Sequence, residues 1–215
     1  MRAIAINAAA VMLLATVGQA AAESPARLTV RVYNTSGIPT SELLAARHAA
    51  ELILRDTGVD VVFRHCGSPV LPNAAIDPCE QSLQPSEVVV RVIDAPAFNA
   101  TLHPEAYGVT YIIRDIDRGW LATVFSDRIN EAAARVGVEP GELLGRVLAH
   151  EVGHLLLGNG YHGVSGLMRA EWTDAILSRK DDEWRFSMIE AERLHQVLAS
   201  ITRDTAAIEP PAIHF

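Results

Sequence analysis

The apolar and polar positions of this 215-residue chain predict an α+β fold. Five stretches are rich in β-branched and aromatic residues and alternate as strands do. These predicted strands are 27–33, 59–65, 87–93, 107–113 and 120–125. Elsewhere apolar residues recur three and four positions apart, which is typical of helices. The predicted helices are 40–56, 127–136, 139–157 and 182–201, the first of them capped by Thr40 or Ser41.

The predicted helix 139–157 is apolar almost all round, yet it contains three ionisable residues within five positions. His150 and His154 are four residues apart, so they differ by only about 40° around the helix and about 6 Å along it. Both imidazoles therefore project from one side. Glu151 is rotated by about 100° from His150. Because ionisable groups are costly to bury unless they are paired or metal-bound, this cluster indicates a metal ion.

The segment His150-Glu151-Val152-Gly153-His154 has the pattern in which two histidines bind zinc and a glutamate acts as general base. A catalytic zinc site usually takes three protein ligands and leaves a fourth position open. His162 follows a glycine-containing turn that can bring it back towards the metal, and we expect it to be the third ligand. A downstream glutamate is the alternative. The candidates are Glu171, Glu183, Glu190 and Glu192, with Glu171 the foremost.

The segment from His150 to Met168 resembles the metzincin clan of zinc peptidases. In that clan a glycine and a third histidine follow the first two, and a methionine-containing turn, the Met-turn, lies beneath the metal. Met168 is the corresponding methionine here. The usual pattern has five residues between the second and third histidines, whereas seven lie between His154 and His162, so the turn must be wider.

This resemblance implies a zincin or metzincin-like fold. Such a fold has a twisted, mixed five-stranded sheet over an active-site helix, followed by the Met-turn and a C-terminal helix. Its edge strand is antiparallel to the others and borders the cleft, where a peptide can add as a further strand. By its order in the chain, 107–113 is the candidate for that edge strand.

The resemblance also implies a secreted zinc-dependent endopeptidase with one catalytic Zn²⁺, held by His150, His154 and His162, and a peptide or protein substrate. Glu151 would activate the zinc-bound water and then protonate the leaving amine. Three alternatives stay open: a secreted zinc-binding protein of zincin fold without peptidase activity, a gluzincin-type peptidase with Glu171 as third ligand, and an interaction domain whose histidines are structural.

Composition favours one globular domain, because 49% of the residues are hydrophobic and 20% are charged. We expect a single domain at 23–205, a flexible tail at 206–215 and a monomer. The formal net charge of −8 at pH 7 argues against nucleic acid or an anionic membrane as partner.

The N-terminal segment has the pattern of a secretory signal peptide. Arg2 precedes an uncharged apolar run that ends in small residues at Ala22, so we expect 1–22 to be removed and the protein to be secreted or periplasmic, with no membrane span left. Cys66 and Cys79 are the two cysteines of the chain. In an oxidising compartment they are expected to form a disulfide that closes the intervening loop.

Overall fold

The computed structural model describes residues 27–67, 77–95, 106–113, 115, 118–158, 160–180 and 182–207. The predicted signal peptide and residues 208–215 of the predicted tail lie outside these residues. The strands are β1 Arg27–Asn34, β2 Asp60–Cys66, β3 Glu87–Ile93, β4 Gly108–Ile113 and β5 Arg118–Phe125. The helices are α1 Thr40–Asp56, α2 Ser126–Val136, α3 Pro140–Leu157, the short α4 Asp174–Leu177 and α5 Met188–Ala207, with a 3₁₀ turn at Asp182–Trp184.

The strands form one mixed sheet in the order β2-β1-β3-β5-β4. β1 pairs in parallel with β2 and β3, and β3 pairs in parallel with β5. β4 is antiparallel to β5 and lies at the edge. The expected five-stranded mixed sheet with an antiparallel edge strand at 107–113 is therefore confirmed.

The core lies between one face of this sheet and the helices α1 and α3. Alternate residues of the central strands point to that face, as the period of two in a strand requires. Those of β1 and β3 are fully or almost fully buried: Leu28, Val30, Val32, Val88, Val90 and Val92. Among the described residues, no helix is both long enough and apolar enough to cross a membrane.

Helix α3 packs tightly against α1 because a glycine faces α1 at the point of contact. A Cβ atom added to Gly145 would lie 2.5 Å from the backbone oxygen of Ala46 and 2.6 Å from the Cβ of Ala49. No larger residue fits there without separating the helices. This close approach fixes the position of α3 beneath the sheet.

A buried ion pair and a disulfide organise the opposite face of the sheet. The Arg31 guanidinium on β1 donates a hydrogen bond to the Glu87 carboxylate on β3, and Arg64 on β2 donates to the same carboxylate at 3.1 Å. Burial raises the pKa of Glu87, but a backbone N–H and the two arginines outweigh it, so the pKa lies below its ordinary value. Arg31 also donates to the carbonyl oxygens of Cys79, Gln81 and Ser82. The predicted Cys66–Cys79 disulfide is present and ties this segment to β2.

Most element boundaries lie within two residues of the prediction, and the starts of two helices differ for identifiable reasons. The N-cap of α1 is Pro39 rather than Thr40 or Ser41, because the Pro39 carbonyl already accepts a hydrogen bond from the Leu43 N–H and no side chain caps the helix. The last helix begins at Met188, because Ser187 and Glu190 exchange hydrogen bonds around its first turn, and it continues to Ala207. Residues 182–184 form a separate 3₁₀ turn.

Candidate metal centre

Helix α3 brings the two histidines of the sequence motif together inside the molecule. It runs from Pro140 to Leu157 and is buried along nearly its whole length. The Nε2 atoms of His150 and His154 lie 3.0 Å apart. With His162 they form a group whose ligand atoms all lie within 4.8 Å of one another.

The ring of His150 is oriented by a main-chain carbonyl. Its Nδ1 lies 2.9 Å from the backbone oxygen of Leu167. An oxygen can only accept here, so Nδ1 carries the proton and Nε2 keeps a free lone pair directed at the cluster. Carbonyl partners of this kind orient the histidines that bind metal in proteins.

His162 reaches the other two histidines because the chain turns back after α3. Gly158 and Gly160 have φ angles of 83° and 56°, in the region that favours glycine. The turn places the His162 ring centroid 4.8 Å from that of His154 and 5.7 Å from that of His150. His162 itself is exposed, so this side of the cluster faces solvent.

Burial keeps these imidazoles uncharged. It lowers the pKa of His150 to about 4, despite the opposing effect of the Leu167 carbonyl. Burial, together with the charges that His150 and His162 can carry, lowers the pKa of His154 to about 3. Burial also lowers the pKa of His162. Three neutral imidazoles are the protonation state that binds a metal ion.

Glu151 is the buried acid of the site. Glu151 is only 4% exposed. Burial raises the pKa of its carboxyl group to about 7, although a hydrogen bond from Thr110 opposes that shift. The Thr110 hydroxyl on β4 lies 2.6 Å from Oε2. Such a pKa is close to that of a residue that takes up and releases a proton at neutral pH. Thr110 was not predicted from the sequence, where it is one ordinary residue of a strand.

Met168 lies directly beneath the histidine helix. A Cβ atom added to Gly153 would lie 2.6 Å from the Met168 sulfur and 2.8 Å from Cε1 of Phe186. Gly153 stands between the two histidines in sequence, so the methionine sulfur packs against the backbone that carries them. Met168 is fully buried.

An aromatic wall borders the cleft next to His150. Trp172 meets the His150 ring edge-on at 5.2 Å between centroids, and it contacts Tyr107 at 6.2 Å. Behind it stands Trp184 at 4.8 Å, which lies under the guanidinium of Arg146. The cleft has a volume of about 580 Å³, and β4, the three histidines, Glu151 and Trp172 line it.

The four downstream glutamates lie outside the group of converging histidine nitrogens. Glu171 lines the cleft but is exposed. Glu183 is paired with Arg169 and Arg179. Glu190 is buried in the first turn of α5. Glu192 accepts a hydrogen bond from Gln196.

The donor set fits a zinc ion. Two nitrogens bound at 2.0–2.1 Å with tetrahedral angles are about 3.3 Å apart, close to the 3.0 Å between the Nε2 atoms of His150 and His154. Three nitrogen donors with an open side suit zinc, whereas calcium and magnesium prefer oxygen. Nδ1 of His154 has no hydrogen-bond partner among the described residues, and it lies away from the converging nitrogens.

No protein-family model matches the sequence, and no curated protein does either. The fold does match solved structures. A zinc-dependent peptidase from Methanocorpusculum labreanum (strain Z) aligns with a TM-score of 0.50 at 18% identity, over 77% of this chain and 99% of that chain. Archaemetzincin from Methanopyrus kandleri aligns with a TM-score of 0.47 at 18% identity, over 81% of this chain and 97% of that one. The first of these likenesses shows that this chain shares its fold with that zinc-dependent peptidase.

Proposed function

We propose that this chain is a secreted zinc-dependent endopeptidase. The observation that carries the proposal is the convergence of His150, His154 and His162, with donor atoms within 4.8 Å of one another, beside the buried carboxyl group of Glu151. A purely structural zinc site has no need of a carboxyl group next to the ligands. The shared fold with a protein described as a zinc-dependent peptidase agrees with this function.

In this proposal the three histidines hold one zinc ion. Bound zinc would lower the pKa of a water molecule towards about 7 and polarise the carbonyl group of the substrate. Glu151 would accept the proton of the attacking water and pass it to the nitrogen of the leaving amine. Its pKa of about 7 in the metal-free site suits a group that must both take and give a proton.

The edge strand supports a peptide substrate. Among the described residues, β4 pairs with β5 on one side only, so its other side offers free main-chain groups. An extended peptide can add to such an edge by main-chain hydrogen bonds. An open cleft bordered by a strand edge suits cleavage within a chain, because it can accommodate peptide on both sides of the cut bond.

Two further parts of the proposal rest on local observations. Met168 is proposed to be the methionine of a Met-turn, because its sulfur packs against the backbone at Gly153, between the two histidines. Export is proposed because of the signal-like sequence 1–22, and the Cys66–Cys79 disulfide supports an oxidising compartment. We also propose that the protein acts as a monomer.

The competing functions make different use of the same residues. A zinc-binding protein without peptidase activity would hold the metal and leave peptides intact. A gluzincin-type peptidase would use Glu171, but that residue is exposed and lies outside the converging donor group. The geometry therefore favours the three-histidine site.

The decisive experiment replaces the proposed base. Glu151→Gln keeps the size of the side chain and leaves the histidines in place. We expect it to retain about one zinc per chain and to lose on the order of 10² to 10⁴ in the rate of peptide hydrolysis, since general-base catalysis contributes about that much. Zinc is measured by mass spectrometry of the purified protein, and hydrolysis with fluorescein-labelled casein and a peptide library.

The matched control is Glu131→Gln, at an exposed position on α2. It should leave zinc content and hydrolysis unchanged. A zinc-loaded wild-type protein that cleaves neither casein nor any library peptide would favour the zinc-binding alternative. Full activity in the Glu151→Gln variant would refute the catalytic assignment.

A further inference from the structure

Two residues of the edge strand face the proposed base. Gly108 and Thr110 pair with Val124 and Ala122 of β5, which are fully buried on the side of the sheet that faces α3. Because side chains two residues apart in a strand share one face, Gly108 and Thr110 both face α3. Glu151 lies directly against them.

Thr110 holds one oxygen of the Glu151 carboxylate. Its hydroxyl lies 2.6 Å from Oε2 and 3.3 Å from the main-chain oxygen of Glu151. A hydroxyl has a single proton to donate. The carboxylate oxygen Oε2 is closer than the main-chain oxygen and is the stronger acceptor, so the hydroxyl donates to Oε2. The other oxygen, Oε1, is left free of this bond.

Gly108 provides the space in which that second oxygen lies. A Cβ atom at position 108 would be 2.5 Å from Oε1 of Glu151, 2.7 Å from its Cδ and 2.8 Å from its Cγ. A Cβ atom does not come this close to atoms to which it is not bonded, so any other residue would displace the side chain of Glu151. The carboxylate therefore has one oxygen held by the Thr110 hydroxyl and the other packed beside the bare Cα of Gly108.

The strand that carries these two residues is itself anchored just before Gly108. The Arg128 guanidinium on α2 donates a hydrogen bond of 2.6 Å to the carbonyl oxygen of Ala106. The Phe125 N–H donates to the carbonyl oxygen of Tyr107 at 2.8 Å. These bonds fix the start of β4, and so they fix the position of Gly108 and Thr110 relative to helix α3.

We propose that Thr110 and Gly108 are positioning residues, which hold the Glu151 carboxylate in the one orientation that proton transfer needs. The inference rests on the proposed function, because it assigns a role within that reaction. A general base must lie within hydrogen-bond reach of the proton it takes. A displacement of about 1 Å can cost about 10² in rate. Thr110 and Gly108 act through Glu151 and touch neither the metal ligands nor the substrate in this role.

The test compares Thr110→Val with Thr110→Ser. Valine keeps the branched shape and removes the hydroxyl, whereas serine keeps the hydroxyl. With the casein-derived peptide that the wild type cleaves best, Thr110→Val should lower kcat on the order of 10-fold to 100-fold, because misplacing a reacting group by about 1 Å can cost about 10² in rate. KM and zinc affinity should stay near wild type, and Thr110→Ser should restore most of kcat.

A second readout does not depend on activity. In the metal-free protein, Thr110→Val should raise the equilibrium constant of urea unfolding on the order of 10-fold, because it strips a hydrogen bond from a buried carboxylate. In the background of Glu151→Ala the same change should have little effect. The difference between the two backgrounds measures the direct coupling of Thr110 to Glu151.

Gly108→Ala is the second variant, and it leaves the hydroxyl in place. It should also lower kcat with zinc affinity retained, because the added Cβ displaces Glu151. If Thr110→Val does not fold, unchanged kcat in Gly108→Ala overturns the proposal.

Wild-type kcat in Thr110→Val, equal losses in the valine and serine variants, or no coupling in unfolding would each overturn the positioning role while leaving the peptidase function standing. A wild-type protein that cleaves no peptide would overturn the proposed function and this role together.

Discussion

His162 and Glu171 are the two candidates for the third ligand of the proposed zinc site. Seven residues separate His154 from His162, and the glycines at 158 and 160 let the chain turn sharply enough to bring the rings to 4.8 Å. Glu171 reaches the cleft wall but stays exposed. The longer spacing is thus absorbed by the turn.

We predict that His162→Ala weakens zinc binding by more than about 100-fold, whereas Glu171→Ala leaves it within a few-fold of wild type. Loss of a direct ligand removes a metal bond, and even changes to residues behind the ligands cost about 10- to 100-fold. Competition with a chromophoric zinc chelator measures both affinities. The reverse pattern would identify Glu171 as the ligand, and unchanged affinity in both variants would exclude both residues.

The sequence could predict some residues of the site and not others, for a physical reason. His150, Glu151 and His154 lie on one helix, so helical geometry alone relates them. Thr110 contacts Glu151 across 41 positions of the chain. Such a contact depends on how β4 packs against α3, which no local pattern contains.

At the scale of single elements, helix α3 is held on two sides through glycines. In its N-terminal half, Gly145 lies against the backbone of α1. About one turn before its end, Gly153 lies against Met168 and Phe186. Replacing each glycine by alanine therefore tests two different contacts of α3, one with the core helix α1 and one beneath the histidines.

We predict that Gly145→Ala and Gly153→Ala both lower the free energy of unfolding, by about 1–3 kcal/mol each, because overpacking outweighs the better helix propensity of alanine. Only Gly153→Ala should weaken zinc binding, because the added Cβ meets Met168 beneath the histidines. Urea unfolding and zinc competition measure the two effects. Equal zinc affinity in the two variants would show that the contact with Met168 does not support the site.

The periodicity of apolar residues predicted which segments are strands and which are helices, but it predicted the ends of these segments less accurately. All five strands and the helices α1, α2 and α3 lie where the apolar pattern of the sequence predicts them. The predicted N-cap of α1 was wrong. Thr40 has a side chain that suits a cap, but the backbone is already helical at Thr40, so Pro39 takes the cap position. The last helix starts after Ser187, whose hydroxyl accepts a hydrogen bond from the Glu190 N–H. The sequence pattern does not show this start, because helix-forming residues already begin at Asp182.

At the scale of the whole molecule, the buried site makes the metal-free protein sensitive to pH. In the unfolded chain the pKa is 6.5 for these histidines and 4.5 for the glutamate, whereas in the folded chain it is about 4 for His150, about 3 for His154 and about 7 for Glu151. Between pH 4.5 and 6.5, unfolding therefore lets two histidines take up protons and makes Glu151 release one.

We predict that the metal-free protein gains stability as pH rises from 4.5 to 6.5, because His150, His154 and Glu151 together take up one net proton on unfolding. Each net proton changes the free energy of unfolding by about 1.4 kcal/mol per pH unit. The lowered pKa of His162 acts in the same direction. Glu151→Gln abolishes the proton release by residue 151. The free energy of unfolding of this variant should therefore rise more steeply with pH, with about two net protons taken up on unfolding. Urea unfolding at several pH values measures both slopes, and a flat or falling stability in this range would contradict the prediction.

The buried Arg31 has a consequence for how this protein can change in evolution. Its guanidinium serves Glu87 and the carbonyl oxygens of residues 79, 81 and 82 at once, which the single ammonium of a lysine cannot do. Loss of Arg31 alone would leave the buried Glu87 carboxylate paired only with Arg64, and three carbonyl groups would lose the hydrogen bonds that Arg31 donates. Positions 31 and 87 should therefore be kept together or replaced together among related sequences.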